Sequence, residues 1–187
     1  MHLSAKQIKG LAKIANSADN MRHTLHKKIW VKGDAHRNLS LYASCGSSML
    51  VVRTDIVCTG EVEFYIDTDS LKRLRVADTV TISVNGLVMP WEETLFSTQG
   101  ERAPDFESAI PPENKNKRTS FSGFLGLDMR LLSRLADCLA LASDETGKNK
   151  DCISKVSPPK GKYQGTRIDA VNAAFQTLAV IMPCRID

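Results

Sequence analysis

Residues 62–98, VEFYIDTDSLKRLRVADTVTISVNGLVMPWEETLFST, decide the fold. Val62–Ile66 is a run of branched and aromatic residues, the composition of a short strand. Asp67-Thr68-Asp69-Ser70 supplies caps for a short helix that carries Leu71 and Leu74, while Lys72, Arg73 and Arg75 point elsewhere. Thr79–Ser83 and Leu87–Trp91 flank Asn85-Gly86, both of which tolerate the positive φ of a type I′ hairpin turn. Thr94–Thr98 extends the meander, and the order is β-α-β-β-β.

The same order returns near the C-terminus. Thr119–Leu125 reads as a strand, and Asp128 can cap a helix running to about Leu141 through Leu132, Leu135, Ala136 and Leu139. Arg130 and Arg134, four apart, share a face of that helix. After the polar stretch Ser143–Lys150 come strands at Cys152–Ser157, Arg167–Val171 and Phe175–Met182. Two units of one order with little sequence identity imply an internal repeat of architecture.

Upstream, Ser4 can cap a helix over Ser4–Ser17, with Ile8, Leu11, Ala12 and Ala15 at helical spacing and Lys6, Lys9 and Lys13 on the other side. Thr24–Val31, Leu39–Ala43 and Met49–Thr54 read as antiparallel strands separated by turn formers such as Gly33-Asp34. The expected class is α+β. Between the halves, Gly100–Arg118 is rich in Pro, Glu, Asn and Lys and ends in the polar run Glu113–Arg118. It reads as a domain linker, with a long surface loop inside one domain as the alternative.

With 187 residues, 25% of them charged and 42% apolar or aromatic, the chain is an ordinary globular protein rather than a disordered one. Its net charge of +4 is compatible with a polyanionic partner. Met1–Lys6 lacks a secretory pattern, and no apolar run approaches the roughly 18 residues of a membrane span, so a cytoplasmic protein with no membrane partner is expected. The five cysteines are scattered without a CxxC pair, as for reduced thiols. His23 and His26, three apart on an expected strand, fall on opposite faces and make a poor metal pair. No phosphate loop, dinucleotide fingerprint or GxSxG is present, and Glu92-Glu93 is an isolated acidic pair. Neither enzyme chemistry nor a cofactor or metal is expected.

Three stretches resemble the beta sliding clamps of bacterial DNA polymerase III. Val180-Ile181-Met182-Pro183-Cys184-Arg185-Ile186 is similar to the terminal V-V-M-P-M-R-L of that family. Ala103-Pro104-Asp105-Phe106-Glu107-Ser108-Ala109-Ile110-Pro111 resembles the F-P-D-Y-x-x-x-[IVL]-P that closes the clamp's middle domain. Ala43-Ser44-Cys45-Gly46-Ser47-Ser48-Met49 falls where that domain carries A-T-D-G-H-R-L. The resemblance implies a DNA-clamp-like fold: residues 1–112 as one complete clamp domain, 113–187 as an abbreviated β-α-β-β-β domain like the later half of the clamp's last one, and the first domain absent.

Clamps of this family are rings with helices lining a central hole. The resemblance therefore implies double-stranded DNA as a non-specific partner, met through its backbone by Lys6, Lys9, Lys13, Lys72, Arg73, Arg75, Arg130 and Arg134. The plainer reading of these cations is a solvated helix face. It also implies a cleft for short linear peptides of polymerases and other clamp users. Ser44, Gly46, Ser47, Ser48 and Met49 would form one wall, Pro111 the junction, and Val180, Met182, Pro183 and Arg185 the other wall. There the plainer reading is a core strand with a docked tail. Ser47-Ser48 in place of His-Arg, and Cys184 in place of Met, depart from the family pattern at the pocket. Two functions follow: a DNA-encircling processivity factor, closing as a homotrimeric ring, or a clamp mimic that sequesters clamp partners, as would suit a phage or mobile element.

Overall fold

Ser4 begins the first helix. Its hydroxyl accepts from the Gln7 backbone N–H at 3.3 Å, and the Gln7 side-chain oxygen accepts from the Ser4 N–H at 2.8 Å, so two orphan donors are satisfied reciprocally. The computed structural model of the chain describes residues 2–19, 21–22, 24–75, 77–97, 101–111, 129–143, 154–157, 165–170 and 176–182. Strand β1 is His2–Ser4 and helix α1 is Ala5–Ala15, whose apolar stripe of Ile8, Leu11, Ala12 and Ala15 is buried as the spacing predicts.

Strands β2 (Lys28–Gly33), β3 (Asn38–Ser44), β4 (Ser48–Val57) and β5 (Val62–Asp67) follow at the expected places, except that β2 begins four residues late. Residues 24–27 form a turn, because the end of α1 needs donors. The Lys27 N–H serves the Ala15 carbonyl at 3.2 Å, and Lys27 takes a φ of 57° to do so. His26 is therefore not on a strand; its Nδ1 lies 2.8 Å from the Ala18 carbonyl. His23 lies outside the described residues.

The expected helix after β5 is a single 3-10 turn, Thr68–Leu71, capped by Asp67, whose carboxylate accepts from the Asp69 N–H at 2.8 Å. Leu71 and Leu74 are buried as predicted, but the segment ends before a second α-helical turn forms. Strands β6 (Thr79–Ser83), β7 (Gly86–Val88) and β8 (Thr94–Leu95) complete the meander. The hairpin is present with its turn shifted by one residue: Ser83 pairs with Gly86, so the loop is Val84-Asn85. Gly86 alone of the pair takes a positive φ, 139°, and a Cβ there would lie 3.0 Å from the Leu95 carbonyl.

Helix α2 spans Met129–Ser143, and β9 (Ser154–Ser157), β10 (Thr166–Ala170) and β11 (Gln176–Ile181) follow it. Leu135, Cys138 and Leu139 form its buried stripe; Ala136, expected to be inside, falls off that stripe and is exposed. The strand at Thr119–Leu125, the cap at Asp128 and the boundary between 112 and 113 lie outside the described residues.

The strands make two antiparallel sheets, one in the order β1-β6-β7-β8 and one of seven strands, β5-β2-β3-β4-β11-β10-β9. Three units succeed one another along the chain: β1-α1-β2-β3-β4, β5-turn-β6-β7-β8, and α2-β9-β10-β11. Helices α1 and α2 pack against each other and against one face of the large sheet, over a core that runs from Ile8 and Leu41 to Leu139 and Ile181. The opposite face carries a second cluster, Trp30, Tyr42, Met49, Val51, Tyr65, Leu178 and Val180, into which Phe106 packs. Residues 101–111, expected as part of a linker, are thus held against the sheet. Phe106 stacks on Tyr42 at 4.9 Å between ring centroids, and the Tyr42 hydroxyl donates to Glu107.

Candidate functional site

Two surfaces follow from this arrangement. On the helix side, Lys6 and Lys9 are half-buried and Lys13 exposed along α1, while Arg130 and Arg134 are exposed on α2. The spacing that buries Ile8, Leu11 and Ala15 leaves the lysines on the far side of α1. Because the helices lie side by side, charges from both reach one point. The buried Cys138 thiol is raised by desolvation, while Lys13 of α1 and Arg134 of α2 both pull it the other way. Five of the eight basic residues expected to face DNA thus lie on the two packed helices, and of these Lys13 and Arg134 act on one thiol.

The other three stand elsewhere. Lys72, Arg73 and Arg75 follow the 3-10 turn rather than lining a helix. Lys72 is paired with Asp69 at 3.0 Å, and the Arg73 guanidinium sits 5.8 Å from the centre of the Trp91 ring.

On the sheet side, the two expected cleft walls are adjacent strands. Met49 pairs with Val180 and Ser48 with Ile181, and the Met182 N–H donates to the Ser47 carbonyl at 3.0 Å. Pro111 joins them through Arg167, which pairs with Val180 across β10–β11 and donates to the Pro111 carbonyl at 3.2 Å. Asp169 fixes that guanidinium at 2.7 Å in an almost fully buried pair. The β3–β4 turn is tied by Ser44, whose hydroxyl donates to the Ser48 carbonyl at 3.1 Å and accepts from the Gly46 N–H at 3.0 Å. Gly46 takes a φ of 88° with the Arg22 guanidinium against its α-carbon, leaving no room for a side chain.

Met49 and Val180 are buried in the outer-face cluster, so among the described residues of this region the exposed ones are Gly46, Ser47 and Met182, the last 39% exposed. Pro183 and Arg185 lie outside the described residues. Cys45, between the walls, is a feature the sequence pattern did not single out. Burial would raise its thiol, but the hydroxyls and backbone of Ser47 and Ser48 bring it down to about 7, with the two oxygens 3.4 and 3.1 Å from sulfur. Two clefts were also not foreseen. One of about 570 Å³ lies on the outer face between Lys32, Tyr42, Arg53 and Phe106, and one of about 420 Å³ lies beside Trp91. The first joins residues up to 144 positions apart in sequence, Lys32 to Gln176, so no local spacing could have marked it.

No family model and no curated protein sequence matches the chain. Solved structures do. The DNA polymerase III subunit beta of Borrelia burgdorferi aligns over 100% of this chain at 16% identity with a TM-score of 0.61. The Helicobacter pylori beta clamp aligns over 98% at 11% identity and 0.60, and the beta subunit from the DNA polymerase of Streptococcus pyogenes over 100% at 12% and 0.51. The fold, which among the described residues sets two helices against antiparallel sheets in repeated units, is a DNA-clamp fold of the α+β class. The solved structures it resembles are those of DNA polymerase III beta clamps, and the chain spans 64%, 65% and 66% of the length of these three. Among the described residues no helix is long and apolar enough to cross a membrane.

Proposed function

We propose that the chain is a sliding-clamp-like tether of DNA replication, in which the α1–α2 surface rides on double-stranded DNA and the β4–β11 region receives short linear peptides of polymerases or other clamp users. In this reading residues 1–112 are the complete clamp unit and 113–187 the abbreviated one. The observation that carries it is the pairing of α1 with α2 on one sheet face, with Lys6, Lys9, Lys13, Arg130 and Arg134 on the helices. Such a surface meets phosphates without reading bases, and it suits a protein that must slide. A homotrimer of such chains would enclose the duplex.

The test is salt-dependent binding to duplex DNA. Lys13→Glu combined with Arg134→Glu should lower the slope of log K against log salt by about 0.9 for each phosphate that is no longer neutralised. An unchanged slope refutes the surface. Retention on circular but not linear duplex distinguishes encirclement from simple association, and a monomer in light scattering at micromolar concentration sinks the ring.

A second reading, a mimic that sequesters clamp partners without enclosing DNA, is favoured by one observation. The two cleft walls are joined within a single chain by the β4–β11 pairing, so peptide binding would not require a ring. Met182→Glu should then abolish binding of a clamp-binding peptide; an unchanged dissociation constant argues against both uses of the cleft.

A further inference from the structure

Trp91 occupies the tip of the β7–β8 turn, where an apolar ring has little to bury against. It is 37% exposed, its indole N–H donates to the Glu93 carboxylate at 2.7 Å, and Glu92 beside it takes a φ of 67°. Arg73, Arg75, Asp78, Pro90 and Trp91 line a cleft of about 420 Å³. Lys72 is paired with Asp69, whereas among the described residues no carboxylate forms an ion pair with Arg73 or Arg75. The Asp78 carboxylate is held to the Arg75 backbone N–H at 2.6 Å. The cleft therefore joins the Trp91 ring, one face of which carries the Arg73 guanidinium at 5.8 Å and the other of which is left for a ligand, with the Arg75 guanidinium and one acceptor.

We propose that this cleft binds single-stranded nucleic acid, with one base stacked on the Trp91 indole and the flanking phosphates taken by Arg73 and Arg75. Stacking on an aromatic side chain beside cations is the chemistry by which unpaired strands are held without regard to sequence. A duplex offers no base face to a residue at a hairpin tip, because each base is already stacked on its neighbours. Asp78 adds an acceptor suited to a base amino group. The site is separate from the α1–α2 surface and does not depend on the duplex reading, so either can fail alone.

The chain has two tryptophans, and Trp30 is buried at 1% exposure with its indole N–H on the Thr24 carbonyl. Quenching of the exposed, red-shifted emission therefore reports Trp91. A thymidine oligonucleotide of about 12 nucleotides should quench it, a duplex of the same length should not, and thymidine monophosphate should do so only at far higher concentration. Trp91→Ala should weaken oligonucleotide binding roughly five- to hundred-fold, and Trp91→Tyr should restore most of it. Arg73→Gln with Arg75→Gln should lower the salt slope by about 1.4 for two phosphates. Lys13→Glu with Arg134→Glu should leave the quenching intact. Absence of quenching, equal quenching by duplex or by the mononucleotide, or unchanged affinity in Trp91→Ala with an unaltered thermal melt, each overturns the proposal.

Discussion

Phe106→Ala tests whether residues 101–111 are a strap that helps hold the fold or a linker that merely passes over it. Phe106 is 5% exposed, stacks on Tyr42 with ring planes 8° apart, and packs into the cluster of Trp30, Met49, Val51, Tyr65, Leu178 and Val180. Truncating a buried Phe costs about 3–5 kcal/mol, of which about 0.5–1.5 kcal/mol comes from an aromatic pair. The strap lies on the surface of the sheet and can partly collapse into the space left, so the expected loss is near the lower end, about 3 kcal/mol. An exposed linker residue would cost under about 0.5 kcal/mol. Urea unfolding separates the two: with a slope of about 2 kcal/mol/M, the midpoint should fall by about 1.5 M. A companion change, Tyr42→Phe, keeps the stack and removes only the hydroxyl's bond to Glu107, with an expected loss of about 1 kcal/mol. A Phe106→Ala midpoint within about 0.25 M of the parent would refute the packing argument.

The Cys45 thiol, brought down to about 7, should be alkylated by iodoacetamide with a rate that rises through neutral pH, while Cys58 and Cys138, both pushed up by burial, should require more alkaline solution. Because its folded-state value lies below the unfolded one, ionised Cys45 adds stability above the ordinary thiol range, and that contribution is lost as pH falls through about 7. Ser48→Ala should move the alkylation midpoint upward; peptide mapping by mass spectrometry reads it, and an unmoved midpoint removes the hydroxyl from the explanation. Gly46→Ala places a Cβ 1.3 Å from an Arg22 nitrogen at a φ of 88° and should cost about 1–2 kcal/mol, read from thermal unfolding. Ser4→Ala opens the capping box and should cost about 1 kcal/mol; a neutral change would mean that β1, not the cap, fixes the start of α1.

For most elements with a strong local signal, the sequence reading and the structure coincide. The stripe Ile8, Leu11, Ala12, Ala15 predicted α1, and the branched runs predicted β3, β4, β5, β10 and β11 to within a few residues. A β-α-β-β-β order is legible twice in the sequence; in the structure the first copy has a 3-10 turn for its helix, and the opening strand of the second lies outside the described residues. The order in β1 to β4 was not legible, since His2–Ser4 is too short to read as a strand until it pairs with Thr79–Thr81. Residues 67–75 had helical spacing but formed a 3-10 turn, after which Lys72 pairs with Asp69 and Arg73 sits over Trp91 instead of lining a helix face. Of the expected cleft, the meeting of Ser47–Met49 with Val180–Met182 is seen in the β4–β11 register, whereas the burial of Met49 and Val180 under Phe106 is a tertiary fact.

By itself the sequence determined much of what periodicity and local chemistry can fix: α1, α2 and most of the described strands, their order, the cap at Ser4, and lysines opposite the apolar stripe of α1. Only the tertiary structure decided which strands share a sheet, that α2 lies against α1, that the segment 101–111 folds back as a strap, and that Trp91 stands over Arg73. The physical reason is one of range. A helix or strand is selected by neighbours within a few residues, but the pairing of β4 with β11 joins Arg53 to Gln176, and only burial of a common core selects that register from its alternatives.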